Sequence, residues 1–265
     1  MQLTPSNRMR SAILPLIVVG LSLFAVGYSN SSNSPNQAPA AKGPAGISPD
    51  QQKKLIHQGK LLFDQTPKYA RDYVGNALSC NDCHIESGTA AHVVPMTDLA
   101  GQFPMFSKRA GHVITLQNRI QECFARSEAG KPLPLDSPQM KAMVAYIDWL
   151  SRNQPRTNPY PGRGLIKLPP LMGDPTRGKT IYVAQCAECH GISGEGVPPI
   201  LPALWGKNSY NDGAGMNNPA KMAAFISYAM PQSHPGALTP QQAYDVATYI
   251  HTKPRPKFNE AYKSY

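Results

Sequence analysis

Four of the five cysteines stand in two copies of one pattern, CNDCH at 80–84 and CAECH at 186–190. Two thiols three residues apart reach both vinyl groups of one porphyrin as thioethers, and a histidine directly after them can turn under the ring to ligate its iron. Cys80, Cys83 and His84, and again Cys186, Cys189 and His190, therefore read as attachment sites for two covalently bound haem c groups, with both histidines as iron ligands. A zinc ribbon or a redox Cys-x-x-Cys is the competing reading, and neither gives a reason for a histidine after each pair. The fifth cysteine, Cys123 in RIQECFARS, has no cysteine nearby. An unpaired thiol of this kind is either a small buried hydrophobe or a reactive group.

The elements that must hold these residues repeat. Four helix starts share a capping side chain followed by proline: Ser48-Pro49, Ser137-Pro138, Asp174-Pro175 and Thr239-Pro240. Ser48 with Gln51 and Thr239 with Gln242 complete capping boxes. The first and third starts lead through Gly59-Lys60 and Gly178-Lys179 to a Cys-x-x-Cys-His motif. The second and fourth open amphipathic helices, with Met140, Met143, Ile147 and Leu150 on one face and Ala243, Val246, Ala247 and Ile250 on the other's. The expected fold is all-α and loop-rich: two tandem cytochrome c-like domains, 48–153 and 174–265, each wrapped around one haem, joined by a proline-rich linker at 154–173.

The repeat locates the sixth ligands. Met230 lies 40 residues after His190, just before the closing helix, and 39 residues after His84 stands Cys123. Met230 is thus expected on the second iron, with Met216 and Met222 as rivals, and Cys123 on the first, with Met96, Met105, His92 and His112 as rivals. If RIQECFARS is helical, Arg119, Cys123 and Ser127 share a face at i, i+4 and i+8. Nearby arginines, Arg109 among them, are expected to lower the thiol's pKa. Arg126 reads as a solvated charge and is left outside the site.

Residues 1–28 carry Arg8 and Arg10, then the apolar run AILPLIVVGLSLFAVGY, as an export signal does. The run is also long enough for an uncleaved membrane anchor, although Pro15 and Gly20 interrupt it. Residues 29–47 have the composition of a flexible tether. Export suits haem c, which bacteria attach outside the cytoplasm, so a periplasmic location is expected. The formal charge of +10 omits haem propionates. With no basic run interleaved with aromatics, nucleic acid is not an expected partner, whereas small anions or an acidic redox protein are.

LSCNDCH, GQFPMFSKRAGHVITLQNRIQECFARSEAGKPLP, CAECHGISGEG, PALWGKNSYNDGAGM and AMPQSHPGALTPQQAYDVATYI together resemble the dihaem thiosulfate dehydrogenases over most of residues 50–258. The resemblance implies a catalytic haem with His84 and Cys123 as ligands, substrate-binding Arg109, Arg119 and Ser127, and an electron-exit haem with His190 and Met230. It further implies coupling of two thiosulfate ions to tetrathionate, or the reverse, with electrons passed to a soluble acceptor such as a small cytochrome c or a high-potential iron–sulfur protein. Some members carry a lysine before the exit methionine that exchanges with it as ligand. Ala229 stands there, so no such switch is expected. A non-catalytic dihaem electron carrier, a Sox-type haem-thiolate subunit and a dihaem peroxidase remain as alternatives.

Overall fold

The computed structural model describes residues 47–152 and 160–264. The expected export segment at 1–28, most of the expected tether at 29–47 and the start of the expected linker at 154–173 lie outside the described residues. Among those described, no helix is long and apolar enough to cross a membrane.

Among the described residues, six helices of eleven residues or more carry the fold: α1 Pro49–Asp64, α2 Leu116–Arg126, α3 Pro138–Arg152, α4 Pro175–Gln185, α5 Pro219–Ala229 and α6 Pro240–His251. The caps act as their sequence dictates. Ser48 and Thr239 form both reciprocal bonds of a capping box, Asp174 accepts from the backbone of Thr176 and Arg177, and the Ser137 hydroxyl accepts from Met140 N. Each such cap stabilises its helix by about 1 kcal/mol. Helix α2 carries a further box, Thr115 with Asn118, that sequence reading passed over.

In each half the first helix crosses the last at a glycine. A Cβ on Gly59 would lie 2.1 Å from the carbonyl oxygen of Ala142, and one on Gly178 would lie 2.0 Å from that of Asp245. The two Gly-Lys pairs therefore mark where α1 meets α3 and α4 meets α6, backbone against backbone. Around each crossing the apolar faces pack into a core. Met140, Met143, Ile147 and Leu150 join Leu62, Phe63 and Phe124 in the first half, and Ala243, Val246, Ala247 and Ile250 join Tyr182, Trp205 and Ile226 in the second.

A short antiparallel hairpin, β1 Met105–Ser107 and β2 His112–Ile114 with Phe106 opposite Val113, interrupts the helical pattern ahead of α2. The linker also has structure: His92 N and Val94 N donate to the carbonyls of Gly162 and Gly164, pinning its first described residues to the first half. The halves share packing as well. Leu78 enters the second core, and Val93 packs with Phe225 and Ala229.

Candidate functional site

Cys80, Cys83 and His84 stand on one wall of a cleft of about 900 Å³, and Arg119, Cys123 and Ser127 stand with them in its lining. The rest is largely apolar, including Phe63, Leu99, Ile120 and Ile147. Helix α2 supplies the second group. Its helical rise continues through Ser127, whose φ of −71° and ψ of −42° keep it in register as the C-cap. The i, i+4, i+8 stripe is therefore one physical face.

The end of α2 is fastened from outside the helix. Its terminal carbonyls lack intrahelical donors. Asn211 supplies its side-chain amide to Ala125 O at 2.8 Å and its backbone N–H to Arg126 O at 3.2 Å. Asn76 donates to Ser127 O at 2.8 Å and also to Ser209 O at 3.1 Å. Asn211 belongs to the second half of the chain, so the halves jointly fix the segment that carries Cys123.

The fit to haem c rests on tautomer and polarity. His84 Nδ1 lies 2.7 Å from Val94 O, and a carbonyl can only accept, so Nδ1 carries the proton and Nε2 is left for a metal. His190 repeats this with Pro202 O at 2.9 Å. Burial first, with Arg119 adding to it against the Val94 bond, lowers the His84 pKa to about 4, which keeps the imidazole in the neutral, ligating form. Burial lowers that of His190 as well. The zinc reading finds no support: among the described residues no three His, Cys, Asp or Glu side chains gather as a metal site.

The second cleft, about 1470 Å³, is lined by Cys186, Cys189, His190 and all three candidate methionines, Met216, Met222 and Met230. Met230 is the C-cap of α5. Leu78, Cys83, Tyr210 and Met216 line both clefts, which therefore share a wall.

Of the rivals to Cys123, only Met96 lines the first cleft. Met105 and His112 lie exposed on the hairpin, and His92 packs edge-on to Tyr228. Arg109 sits exposed in the hairpin turn outside the lining, although its charge reaches Cys123. The expected depression of the thiol pKa is not what the protein moiety produces. Burial raises the Cys123 pKa and outweighs the lowering by Arg119 and Arg109, to which Glu122 and Glu128 are opposed. Arg126 is not a solvated charge either, because it is 7% exposed.

Two buried carboxylates escaped sequence reading. Glu122 Oε2 lies 2.5 Å from Arg119 Nη1, and the carboxyl is 1% exposed. Glu128 lines the cleft with Oε1 3.9 Å from Cys80 Sγ, and burial, reinforced by Asp82, pushes its pKa well up. In RIQECFARSE both look like the polar side of a surface helix, and nothing local signals otherwise.

Two Cys-x-x-Cys-His motifs, each sharing the lining of a largely apolar cleft with a candidate soft sulfur ligand within a helical frame, define a tandem c-type cytochrome that binds haem c covalently. Residues 67–155 match the SoxA/TsdA cytochrome c domain and residues 175–253 the cytochrome c domain. The chain is 38% identical over 250 residues to a thiosulfate dehydrogenase of Allochromatium vinosum, covering 90% of this chain and 92% of that protein. It is 35% identical over 260 residues to a thiosulfate dehydrogenase of Stutzerimonas stutzeri, covering 92% and 85%. A solved thiosulfate dehydrogenase (TsdBA) from Marichromatium purpuratum superposes with a TM-score of 0.74 at 33% identity, over 84% of this chain and 49% of that one, so the chain spans about half of that polypeptide. The chain belongs to the thiosulfate dehydrogenase family.

Proposed function

We propose that this protein is an exported dihaem enzyme that couples two thiosulfate ions oxidatively to tetrathionate, and can run in reverse. The observation that carries the reading is the stripe of Arg119, Cys123 and Ser127 in the lining that also holds Cys80, Cys83 and His84. Haem held by Cys80, Cys83, His84 and Cys123 in the first cleft, and by Cys186, Cys189, His190 and Met230 in the second, would supply an electron sink, with thiolate ligation setting the first potential below the second.

The chain's own groups do the sulfur chemistry. Arg119 and Arg109 pair with sulfonate oxygens through charge-assisted hydrogen bonds, and Ser127 adds a neutral donor. The Cys123 thiolate bonds to the sulfane sulfur of one thiosulfate, giving Cys–S–S–SO₃⁻ as two electrons leave, one to each of two soluble one-electron carriers. A second thiosulfate attacks the sulfane sulfur of that adduct and departs as tetrathionate, returning the Cys123 thiolate, as in thiol–disulfide exchange. A carboxylate-rich or amide-rich stripe would not serve: the site must neutralise anions and offer a sulfur that bonds to sulfur.

The test is turnover by purified holoprotein of thiosulfate with ferricyanide, and of tetrathionate with a reduced dye, beside a pyridine haemochrome count. Two haems per chain and thiosulfate-dependent ferricyanide reduction are expected. One haem, or no sulfur turnover in either direction, overturns the reading.

A further inference from the structure

Arg126 does not line the first cleft, but it stands on the helix that supplies Arg119, Cys123 and Ser127 to it. It follows Arg119 by seven residues, nearly two helical turns, and so returns to the side of α2 that bears Arg119 and Cys123. Its guanidinium lies 4.0 Å from the ring centroid of Phe258, which the C-terminal segment brings across from the second half. A Cβ on Gly213 would come within 2.8 Å of Phe258 Cγ and 2.9 Å of Nη1, so glycine lets the ring and the head group approach together there. Held on those two sides, Nε is nonetheless buried with no hydrogen-bond partner. A buried charged donor left unpaired is costly and calls for an explanation, and a bound anion is one that would complete it.

The surroundings state what charge that ligand carries. Burial lowers the Arg126 pKa first and the positive charge of Arg109 next, and Arg119 adds to them. Glu122 and Glu260 act the other way. Glu122 is already engaged by Arg119. The charges of Arg109 and Arg119 thus act on Arg126 against Glu122 and Glu260, a repulsion that an incoming anion would relieve.

We propose that Arg126 and Arg109 form a second anion subsite beside the first cleft, one that holds the second thiosulfate dianion while the first is bonded to Cys123. The inference rests on the coupling reading above and answers a difficulty within it. Attack by a dianion on Cys–S–S–SO₃⁻ forms one S–S bond and breaks another with no net electron change, and it presses like charges together. Arg119 is already paired with Glu122. A subsite with its own arginine draws the attacking ion in and aligns it.

The experiment is steady-state coupling of thiosulfate with ferricyanide by the holoenzyme, comparing the parent with Arg126→Met, Arg126→Lys and Gly213→Ala. Methionine keeps an unbranched stem to pack on Phe258 and removes the charge. The expected result is two haems, a KM for thiosulfate raised about tenfold or more by loss of a charge-assisted contact, and a flatter salt dependence of kcat/KM. Arg126→Lys falls between, since it keeps the charge without the fork. Gly213→Ala crowds the guanidinium and the Phe258 ring it packs on, removing neither, and also raises KM. It serves on its own if Arg126→Met does not assemble. Unchanged KM and salt dependence in a dihaem Arg126→Met protein, or an unchanged KM in Gly213→Ala, overturns the subsite alone. A parent that does not couple thiosulfate overturns it together with the coupling reading.

Discussion

Glu122 holds Arg119 with a carboxylate oxygen 2.5 Å from the guanidinium, one residue before Cys123 on the same helix. The carboxyl is 1% exposed whereas the arginine side chain is 43% exposed, so the buried partner fixes the direction of the more exposed one. Two consequences of removing Glu122 oppose each other: the cleft gains positive charge, and Arg119 loses its alignment. Ordering a free arginine side chain costs about 1–2 kcal/mol, enough to decide the matter at a half-exposed site. Glu122→Ala is expected to raise the KM for thiosulfate about tenfold, while Glu122→Gln, which still offers an oxygen to Arg119, stays within about threefold. A Glu122→Ala enzyme that binds thiosulfate as well as the parent would show that charge, not alignment, governs the site.

Met230 lines the second cleft as the C-cap of α5, in the half of the chain that does not bear Cys123. Replacing it by glycine is expected to alter the absorption spectrum of one haem and slow electron delivery to the acceptor, leaving the Cys123 chemistry able to proceed. Spectra identical to the parent's for both haems would pass the ligand role to Met216 or Met222, which line the same cleft.

Stability at low pH hinges on Asp245. Its 1% exposed carboxylate accepts from Arg177 Nε and Nη2, Asp174 N and Gln241 Nε2, at 2.8 to 2.9 Å. Burial alone would raise its pKa, and these bonds outweigh burial and hold it below the ordinary carboxylate value. A depressed native pKa contributes stability above the unfolded value, about 3.9, and that contribution is lost as pH falls through the native value. Asp245→Asn is therefore expected to lower stability at pH 7 by about 1–3 kcal/mol, with the gap between variant and parent narrowing below about pH 4. Thermal melts of both holoproteins across that range check it, and a gap independent of pH would remove the linkage.

Sequence carried the helical frame a long way because its signals are local. A capping hydroxyl followed by proline constrains the first turn wherever it occurs, so Ser48, Asp174 and Thr239 cap as expected. The Cys-x-x-Cys-His walls were legible for the same reason. Gly59 and Gly178 were visible as a repeated pair, but their role depends on backbone approaching from Ala142 and Asp245, more than 60 residues away, which no local pattern encodes. Arg126 and Glu122 were misread or missed because burial is a tertiary property: a charge near a helix end reads as solvated until Phe258 is seen to cover it. The rise of the Cys123 pKa has the same origin, desolvation exceeding the arginine field that sequence does reveal.

Cys123 as carrier of sulfur is the central claim, and mass spectrometry of the oxidised holoprotein treated with tetrathionate addresses it most directly. The thiolate should displace thiosulfate from tetrathionate and retain the other half, so a thiosulfonate group bonded through sulfur is expected on the peptide containing Cys123 and on no other. Cys123→Met, whose sulfur is capped by a methyl group, should keep both haems, acquire no adduct and lose thiosulfate coupling almost completely. An unmodified Cys123 in a protein that turns over, or a Cys123→Met protein coupling thiosulfate at near the parental rate, would contradict the account and leave this cysteine as a tuning ligand.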